Sequence, residues 1–299
     1  MAGLLDGKVA IVTGAGGGVG RAYALLLARE GARLVVNDYS VTPEGDGPQP
    51  GANMADLVVA EIIAAGGEAV ANHGDVSDPA GAQSIIAGTL DAFDRVDIVV
   101  NNAGIFRERP FADMSWEDWT RVIDVHLHGS FRVAQLAFRQ MVRQGGGGVI
   151  VNTTSRTALR GKAFQANYAA AKGALISLTD TIALEGRAHG IRALTILPRG
   201  LTQGWENAIL PSAGAVTDAM RRHFTLDAPA LALLYLVSDR AAEHSGKTFF
   251  ASADIISEVR WEQASGFRPV PGSTVDDLAQ SSERGELAFP CDFDPNRIS

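Results

Sequence analysis

The chain of 299 residues has one cysteine, Cys291. A single thiol excludes an internal disulfide framework and cannot alone form a structural zinc site. No stretch approaches the roughly 20 consecutive apolar residues of a membrane-spanning helix. The N-terminus lacks the charged-then-apolar pattern of a secretory signal peptide, because Asp6 and Gly7 interrupt it. These absences favour a reduced, cytoplasmic setting.

Positive charge is also scarce in this chain. Its 26 lysines and arginines are outnumbered by 34 acidic residues, which gives a formal net charge of −8. Nonspecific nucleic-acid binding needs a basic surface, so we expect no nucleic-acid partner. With 46% apolar residues, the chain is long enough for one large domain or for two small ones.

The sequence does contain an alternation of short apolar runs with helical patterns. This alternation is typical of a parallel sheet covered by helices on both faces. We therefore predict a single Rossmann-type, doubly wound α/β sheet of about seven strands in the order 3-2-1-4-5-6-7. The predicted strands are 8–13, 33–38, 68–73, 96–101, 149–153, 191–197 and 247–251, and the predicted helices are 18–31, 53–66, 78–92, 115–143, 165–189 and 227–238.

Three segments depart from the alternation within this plan. Residues 39–52 are rich in proline and glycine, which predicts an inserted surface loop. Residues 201–226 carry apolar side chains suited to a lid over a hydrophobic substrate. Residues 1–261 form the predicted main domain. Residues 262–299 lose the pattern and form a C-terminal extension, either draped over the protein or partly disordered.

The helix predicted over 115–143 begins with a pattern typical of a capping box, in which Ser115 is the N-cap. Its apolar positions recur at helical spacing and are expected to face the core. These positions are Leu127, Phe131, Ala134, Phe138 and Met141.

A glycine-rich turn lies between the first predicted strand and the first predicted helix. It reads TGAGGGVG over residues 13–20 and includes Val19. Gly14 permits a tight turn, Gly18 allows the backbone to approach a pyrophosphate, and Gly20 allows the helix to pack close to the sheet. Because helix N-termini attract negative charge, the turn indicates a dinucleotide site; a merely flexible turn is the alternative.

Asp38 ends the second predicted strand, where a carboxylate can accept hydrogen bonds from the adenosine ribose hydroxyls. The same carboxylate repels a 2′-phosphate, and neither Gly17 nor Tyr39 offers a positive charge to offset it. The sequence therefore predicts NAD rather than NADP. A role for Asp38 in capping the following loop is the alternative.

Tyr168 and Lys172 lie four residues apart on one predicted helix, so their side chains share a face. A free tyrosine, with a pKa of about 10, is a poor base at neutral pH, and a neighbouring ammonium group lowers that pKa. The pair suits a reaction in which an alcohol loses a proton as a hydride leaves. Spacing alone also allows a packed tyrosine beside an exposed lysine.

The glycine turn, NNAG at 101–104, Ser155 and YAAAK at 168–172 resemble, in order and spacing, the short-chain dehydrogenase/reductase superfamily. The resemblance covers most of residues 6–260. It implies hydride transfer between a secondary alcohol and a ketone, with Tyr168 as the acid/base, Lys172 tuning its pKa and Ser155 bonding the substrate oxygen. It also implies a homodimer or homotetramer and no catalytic metal.

The resemblance further implies a set of cofactor contacts beyond the C-terminal ends of the strands. Thr202 is expected to hold the nicotinamide carboxamide. The other implied contacts are Asp75, Val76, Asn102, Ala103, Gly104, Tyr168 and Lys172.

His126 is the main departure from the superfamily pattern, which places an asparagine in the middle of this long helix. If the asparagine acts through its backbone carbonyl, His126 can replace it. If the side chain matters, a proton relay through His126 is possible, because histidine titrates near neutrality. A structural histidine is the equally weighted alternative.

A narrower resemblance links the chain to the dehydrogenase unit of peroxisomal multifunctional enzyme type 2 and its bacterial relatives. It rests on VVNDYS at 35–40, DVHLHGSF at 124–131 and VRWEQASG at 259–266. It implies NAD-dependent oxidation of a 3-hydroxyacyl-CoA. A hydroxysteroid or other hydrophobic alcohol is the second hypothesis, and a noncatalytic NAD-binding regulator is the third.

Basic residues near the expected substrate mouth either attract an anion such as a CoA phosphate or are ordinary surface charges. They are Arg107, Arg109, Arg156, Arg160, Lys162 and Arg199.

Overall fold

The seven predicted strands form one parallel sheet in the computed structural model. Their order, β3-β2-β1-β4-β5-β6-β7, confirms the predicted one, and an unpredicted strand β8 adds antiparallel to β7. The strands are β1 Val9–Thr13, β2 Arg33–Asn37, β3 Ala69–Asn72, β4 Ile98–Asn101, β5 Gly148–Thr153, β6 Ile191–Pro198, β7 Lys247–Ala251 and β8 Ile256–Val259. The structure describes residues 3–47, 53–201, 217, 220, 224–260, 262, 264 and 266–287.

Helices cover both faces of the sheet, and its central strands are therefore buried on both sides. One face packs against α1, α2 and α8, and the other packs against α3, α4 and α5. The helices are α1 Gly18–Arg29, α2 Met54–Ala64, α3 Pro79–Phe93, α4 Trp116–Ile123, α5 Ser130–Gln144, α6 Thr157–Arg160, α7 Ala166–Gly186, α8 Asp227–Val237 and α9 Val275–Glu283.

The helix predicted over 115–143 is interrupted by a π-helical turn, Asp124–Gly129, between α4 and α5. The N-cap prediction is confirmed, since Ser115 Oγ accepts the N–H of Asp118 at 3.0 Å. The core prediction is wrong for Phe131, which is 43% exposed. The face of α5 that packs on the sheet is centred on small side chains such as Ala134 and Ala137, which leaves Phe131 at its margin.

The chain divides into two compact units, Met1–Val259 and Arg260–Ser299. The second unit contains α9, which begins with a capping box between Thr274 and Asp277. This helix was not predicted from the sequence. No helix in the described part of the chain combines the length and the apolar character that a membrane crossing requires.

Candidate active site

The glycine-rich turn joins β1 to α1 and has the close contacts that exclude side chains. Gly14 has a φ of 62°, and a Cβ there would lie 2.7 Å from Ala103 Cα. A Cβ on Gly20 would lie 2.2 Å from the carbonyl oxygen of Gly14. Around Gly17, by contrast, a Cβ would meet open space. The turn therefore presents bare backbone and the N-terminus of α1 to its surroundings, which fits the diphosphate of a dinucleotide.

Asn102 and Thr13 fasten this turn to the end of β4. Asn102 Nδ2 donates to the carbonyls of Thr13 and Gly14, each at 3.1 Å. Thr13 Oγ1 accepts the N–H groups of Asn102 and Ala103 at 3.0 and 3.1 Å. The Asn102 amide thus holds the turn in shape. Thr13 was not predicted as a site residue, although its place directly before the first glycine of the turn is a usable signal.

Asp38 lies immediately after β2 and faces the glycine turn. Its Oδ2 accepts the N–H of Gly16 at 2.9 Å, and its Oδ1 accepts the N–H of Ser40 at 2.7 Å. A Cβ on Gly16 would lie 2.8 Å from the Asp38 carboxylate. The carboxylate is therefore fixed beside the turn, and its remaining lone pairs are available for ribose hydroxyls.

The other predicted cofactor residues lie along the same edge of the sheet. Asp75 Oδ1 accepts the Ser77 N–H at 2.8 Å, and its Oδ2 is 3.4 Å from Arg121 Nη2. Val76 is buried against Gly129. Thr202 lies outside the described residues.

Tyr168 stands in the first turn of α7 at the centre of a compact cluster. Ser155 lies just beyond β5, and its side chain lowers the pKa of the Tyr168 phenol. The ring centroid of Tyr168 lies 5.1 Å from that of His126, edge to face, and 5.0 Å from that of Phe106. Lys172 Nζ lies 5.7 Å from the same centroid. The structure thus brings together all four residues that the sequence predicted to be catalytic.

Burial acts in opposite directions on the two titratable partners. It raises the pKa of Tyr168 to about 12, which the hydrogen bond with Ser155 opposes. It lowers the pKa of Lys172 to about 7. Lys172 is 3% exposed, and its Nζ donates to the Thr153 carbonyl at 2.6 Å. Each group is displaced toward its neutral form, as desolvation requires.

His126 lies within the π-helical turn and is 2% exposed. Its Nε2 is 2.8 Å from the Ile105 carbonyl oxygen and 3.1 Å from the Ile105 nitrogen, while its Nδ1 has no hydrogen-bond partner. Its backbone carbonyl accepts the hydroxyl of Ser130 at 2.7 Å. Burial lowers the pKa of His126 well below its usual range, and the charge of Lys172 lowers it further. The side chain is therefore neutral at physiological pH.

Two arginines lie at the same edge of the sheet. Thr153 and Ile196 are register partners, and Arg156 and Arg199 each come three residues later along their chains. The guanidinium of Arg156 is 5.5 Å from the ring centroid of Phe250, and that of Arg199 is 4.7 Å from that of Phe224.

Both guanidinium groups are close enough to interact. Burial lowers the pKa of Arg199, and the charge of Arg156 lowers it further, while Asp254 acts in the opposite direction. Two guanidinium groups therefore lie close together at this edge, with Asp254 among the charged groups that act on Arg199.

A doubly wound parallel sheet, a glycine turn at the first helix and a Ser-Tyr-Lys cluster beyond the strand ends together define a dinucleotide-dependent oxidoreductase. Comparison with known families matches residues 8–208 to short chain dehydrogenase. The chain belongs to this family. It is an oxidoreductase acting on CH–OH groups, with a nicotinamide dinucleotide, NAD(H) or NADP(H), as its cofactor.

Individual relatives agree with this family. Mouse peroxisomal multifunctional enzyme type 2 is 40% identical over 261 residues, which are 87% of this chain and 34% of that protein. A 3-oxoacyl-[acyl-carrier-protein] reductase of Synechocystis is 36% identical, covering 82% of this chain and 95% of the relative. The crystal structure of a short chain dehydrogenase from Mycobacterium avium superposes with a TM-score of 0.81 and 35% identity, covering 96% and 98% of the two chains.

The chain spans about a third of the mouse relative. The resemblance to the dehydrogenase unit of the multifunctional enzymes, predicted from short motifs, is confirmed by these matches.

Proposed function

We propose that the protein is an NAD-dependent dehydrogenase of 3-hydroxyacyl-CoA or similar thioesters, with Tyr168 as the acid/base. The observation that carries the proposal is the position of Tyr168, whose ring lies beside Lys172 and whose pKa is lowered by the side chain of Ser155. This cluster lies on the same edge of the sheet as the glycine turn.

In the proposed mechanism, Ser155 donates a hydrogen bond to the substrate oxygen and orients it toward the Tyr168 phenol. Tyr168 takes the hydroxyl proton during oxidation and returns it during reduction. When bound, the nicotinamide ring supplies the hydride acceptor. Lys172 in its charged form stabilises the phenolate and lowers the pKa of Tyr168.

For the cofactor, Gly14, Gly18, Val19 and Gly20 would hold the diphosphate, and Asp38 would accept the ribose hydroxyls. The Asp38 carboxylate supports NAD over NADP, because a 2′-phosphate would meet a negative charge in a fixed position. Other proposed cofactor contacts are Asp75, Val76, Ala103, Gly104 and Lys172, and Thr202 for the carboxamide.

A thioester substrate is supported by two observations. One relative is named a 3-oxoacyl-[acyl-carrier-protein] reductase. In addition, Arg156 follows Ser155 directly in the chain and acts on Arg199 through its charge, and guanidinium groups are suited to binding the phosphates of coenzyme A. We also propose a homo-oligomer of cytoplasmic location, with residues 1–261 as the catalytic domain.

The test is NADH formation with (3R)- and (3S)-hydroxyacyl-CoAs of varied chain length and with free hydroxysteroids, using Tyr168→Phe as the control. We expect turnover of one hydroxyacyl-CoA enantiomer by the wild type and its loss in Tyr168→Phe. Turnover of steroids alone would replace the thioester by a hydrophobic alcohol. NAD binding without turnover of any substrate would instead indicate a regulatory NAD-binding protein.

A further inference from the structure

Asn167 precedes Tyr168 in the first turn of α7 and is 1% exposed. Its Oδ1 accepts the backbone N–H of Tyr168 at 2.8 Å. Its Nδ2 donates to the carbonyl oxygens of Arg107 and Asp118, each at 3.0 Å. Both amide protons and the amide oxygen are therefore used, and one free N–H of the helix N-terminus is satisfied.

The two carbonyls belong to different parts of the molecule. Asp118 is in the first turn of α4, and Arg107 is in the segment between β4 and α4. The same segment contains Phe106, whose ring packs on the Tyr168 ring. Tyr168 is thus held from the backbone side by Asn167 and from the ring side by Phe106, and both contacts lead back to residues 106–107.

The inserted loop holds this segment in place. The Phe106 N–H donates to the carbonyl of Pro43 at 2.8 Å. The Arg107 guanidinium is 10% exposed, bonds to the carboxylate of Asp46 and donates to the carbonyl of Glu44 at 3.0 Å. The loop over 41–47 therefore forms part of the support of the active site.

We propose that Asn167 is a positioning residue that, together with the Arg107 side chain bound to the loop over 41–47, sets the Tyr168 phenol against Ser155. Only a neutral amide offers two donors and one acceptor in this place. An aspartate at 167 would set buried carboxylate oxygens against two carbonyl oxygens, and an alanine would leave both carbonyls and the Tyr168 N–H without their partner. The proposal rests on the proposed role of Tyr168.

The test compares Asn167→Ala with the wild type in steady-state oxidation of 3-hydroxybutyryl-CoA by NAD across pH. We expect kcat to fall by about 10- to 100-fold, because misplacing a reacting group by about 1 Å has that effect. The KM for NAD should be unchanged. The pH of half-maximal kcat should move upward, because the phenol loses the Ser155 hydrogen bond that lowers its pKa.

Asp97→Asn is the matched control. Asp97 is also buried and hydrogen-bonded, to the N–H of Val9, but it lies before β4 at the opposite edge of the sheet. It should lower the melting temperature without moving the pH profile. If Asn167→Ala alters the melting temperature alone, as Asp97→Asn does, the proposal is wrong.

Two further variants separate the possible failures. If Asn167→Ala does not fold, Arg107→Lys, which keeps the charge but loses the planar fork, should give a smaller loss of kcat with the same upward shift. An unchanged profile in Arg107→Lys would then refute the proposal. Full activity in Tyr168→Phe would refute the proposed function itself, whereas an inactive Tyr168→Phe with normal Asn167 and Arg107 variants would refute only the positioning role.

Discussion

The imidazole of His126 occupies the space that a side chain on Gly104 would need. A Cβ on Gly104 would lie 2.3 Å from His126 Cε1. Gly104 was predicted as a cofactor contact, and the structure adds a packing reason for glycine at this position. Two residues singled out separately in the sequence are therefore in direct steric contact.

Gly104→Ala should destabilise the protein by about 1–3 kcal/mol, the usual effect of overpacking. The additional variant His126→Asn should recover part of the loss, because asparagine is smaller than the imidazole. Denaturant unfolding of the four proteins of this double-mutant cycle measures the coupling. Gly17→Ala is the control, since a Cβ there meets open space. Strictly additive effects would contradict the steric explanation.

Lys172 should make stability depend on pH in a definite direction. Its pKa is about 7 in the native state, against an ordinary value of about 10.4. Between these values the unfolded chain binds a proton that the native protein lacks, so stability rises with pH by about 1.4 kcal/mol per unit. Below pH 7 the contribution is constant.

Lys172→Met should remove this slope. The measurement is the free energy of unfolding without added cofactor from pH 7 to 10, compared between variant and wild type. Lys162→Met, which removes an exposed lysine, should keep the wild-type slope. Parallel curves for Lys172→Met and the wild type would show that the lysine is charged in the native state.

Asp38→Asn should weaken the preference for NAD. The substitution keeps the size of the side chain but removes the charge that opposes a 2′-phosphate. We expect the ratio of KM for NADP to KM for NAD to fall by about tenfold, the equivalent of one charge-assisted hydrogen bond. Asp78→Asn changes the same charge at the N-cap of α3, where asparagine also serves as a cap, and should leave the ratio unchanged. A wild type that already uses both cofactors equally would contradict the prediction at the outset.

Arg199→Ala should raise the KM for a 3-hydroxyacyl-CoA by about tenfold, since a charge-assisted bond to phosphate is worth about 1.5 kcal/mol or more. The KM for the corresponding N-acetylcysteamine thioester, which has no phosphate, should not change. Arg160→Ala, also basic but placed at the end of α6, is the control. An equal rise for both thioesters would place Arg199 at the acyl part of the substrate or in the fold.

Much of this arrangement could be predicted from the sequence, because the parallel strands and the glycine turn leave strong local patterns. The apolar run of β1 and the glycine turn after it can be recognised from a stretch of only about 15 residues. The i,i+4 spacing of Tyr168 and Lys172 likewise fixed their common face. The strand β8 and the helix α9 lacked such signals: β8 lies within the predicted main domain but was not predicted as a strand, and α9 lies in the segment predicted as a C-terminal extension.

The contacts that support the site were harder to predict from the sequence. Asn167 lies directly before Tyr168, yet its partners are backbone carbonyls far along the chain, and carbonyls carry no sequence signal. The margin position of Phe131 also depends on which residues of α5 meet the sheet, which periodicity defines only to within a fraction of a turn. Most of the lid predicted over 201–226, including Trp205, Ile209 and Leu210, lies outside the described residues.

Because of the π-helical turn, the site depends on the number of residues between α4 and α5 as well as on their identity. Each residue of an α-helix adds about 100° of rotation, and the wider turn over Asp124–Gly129 contains one residue more than an α-helical turn would. Deleting one residue there would rotate α5 relative to α4 and carry Ala134 and Met141 away from the sheet. Insertions and deletions in this stretch should therefore be far less tolerated than substitutions. Functional variants recovered from a random deletion library should retain it.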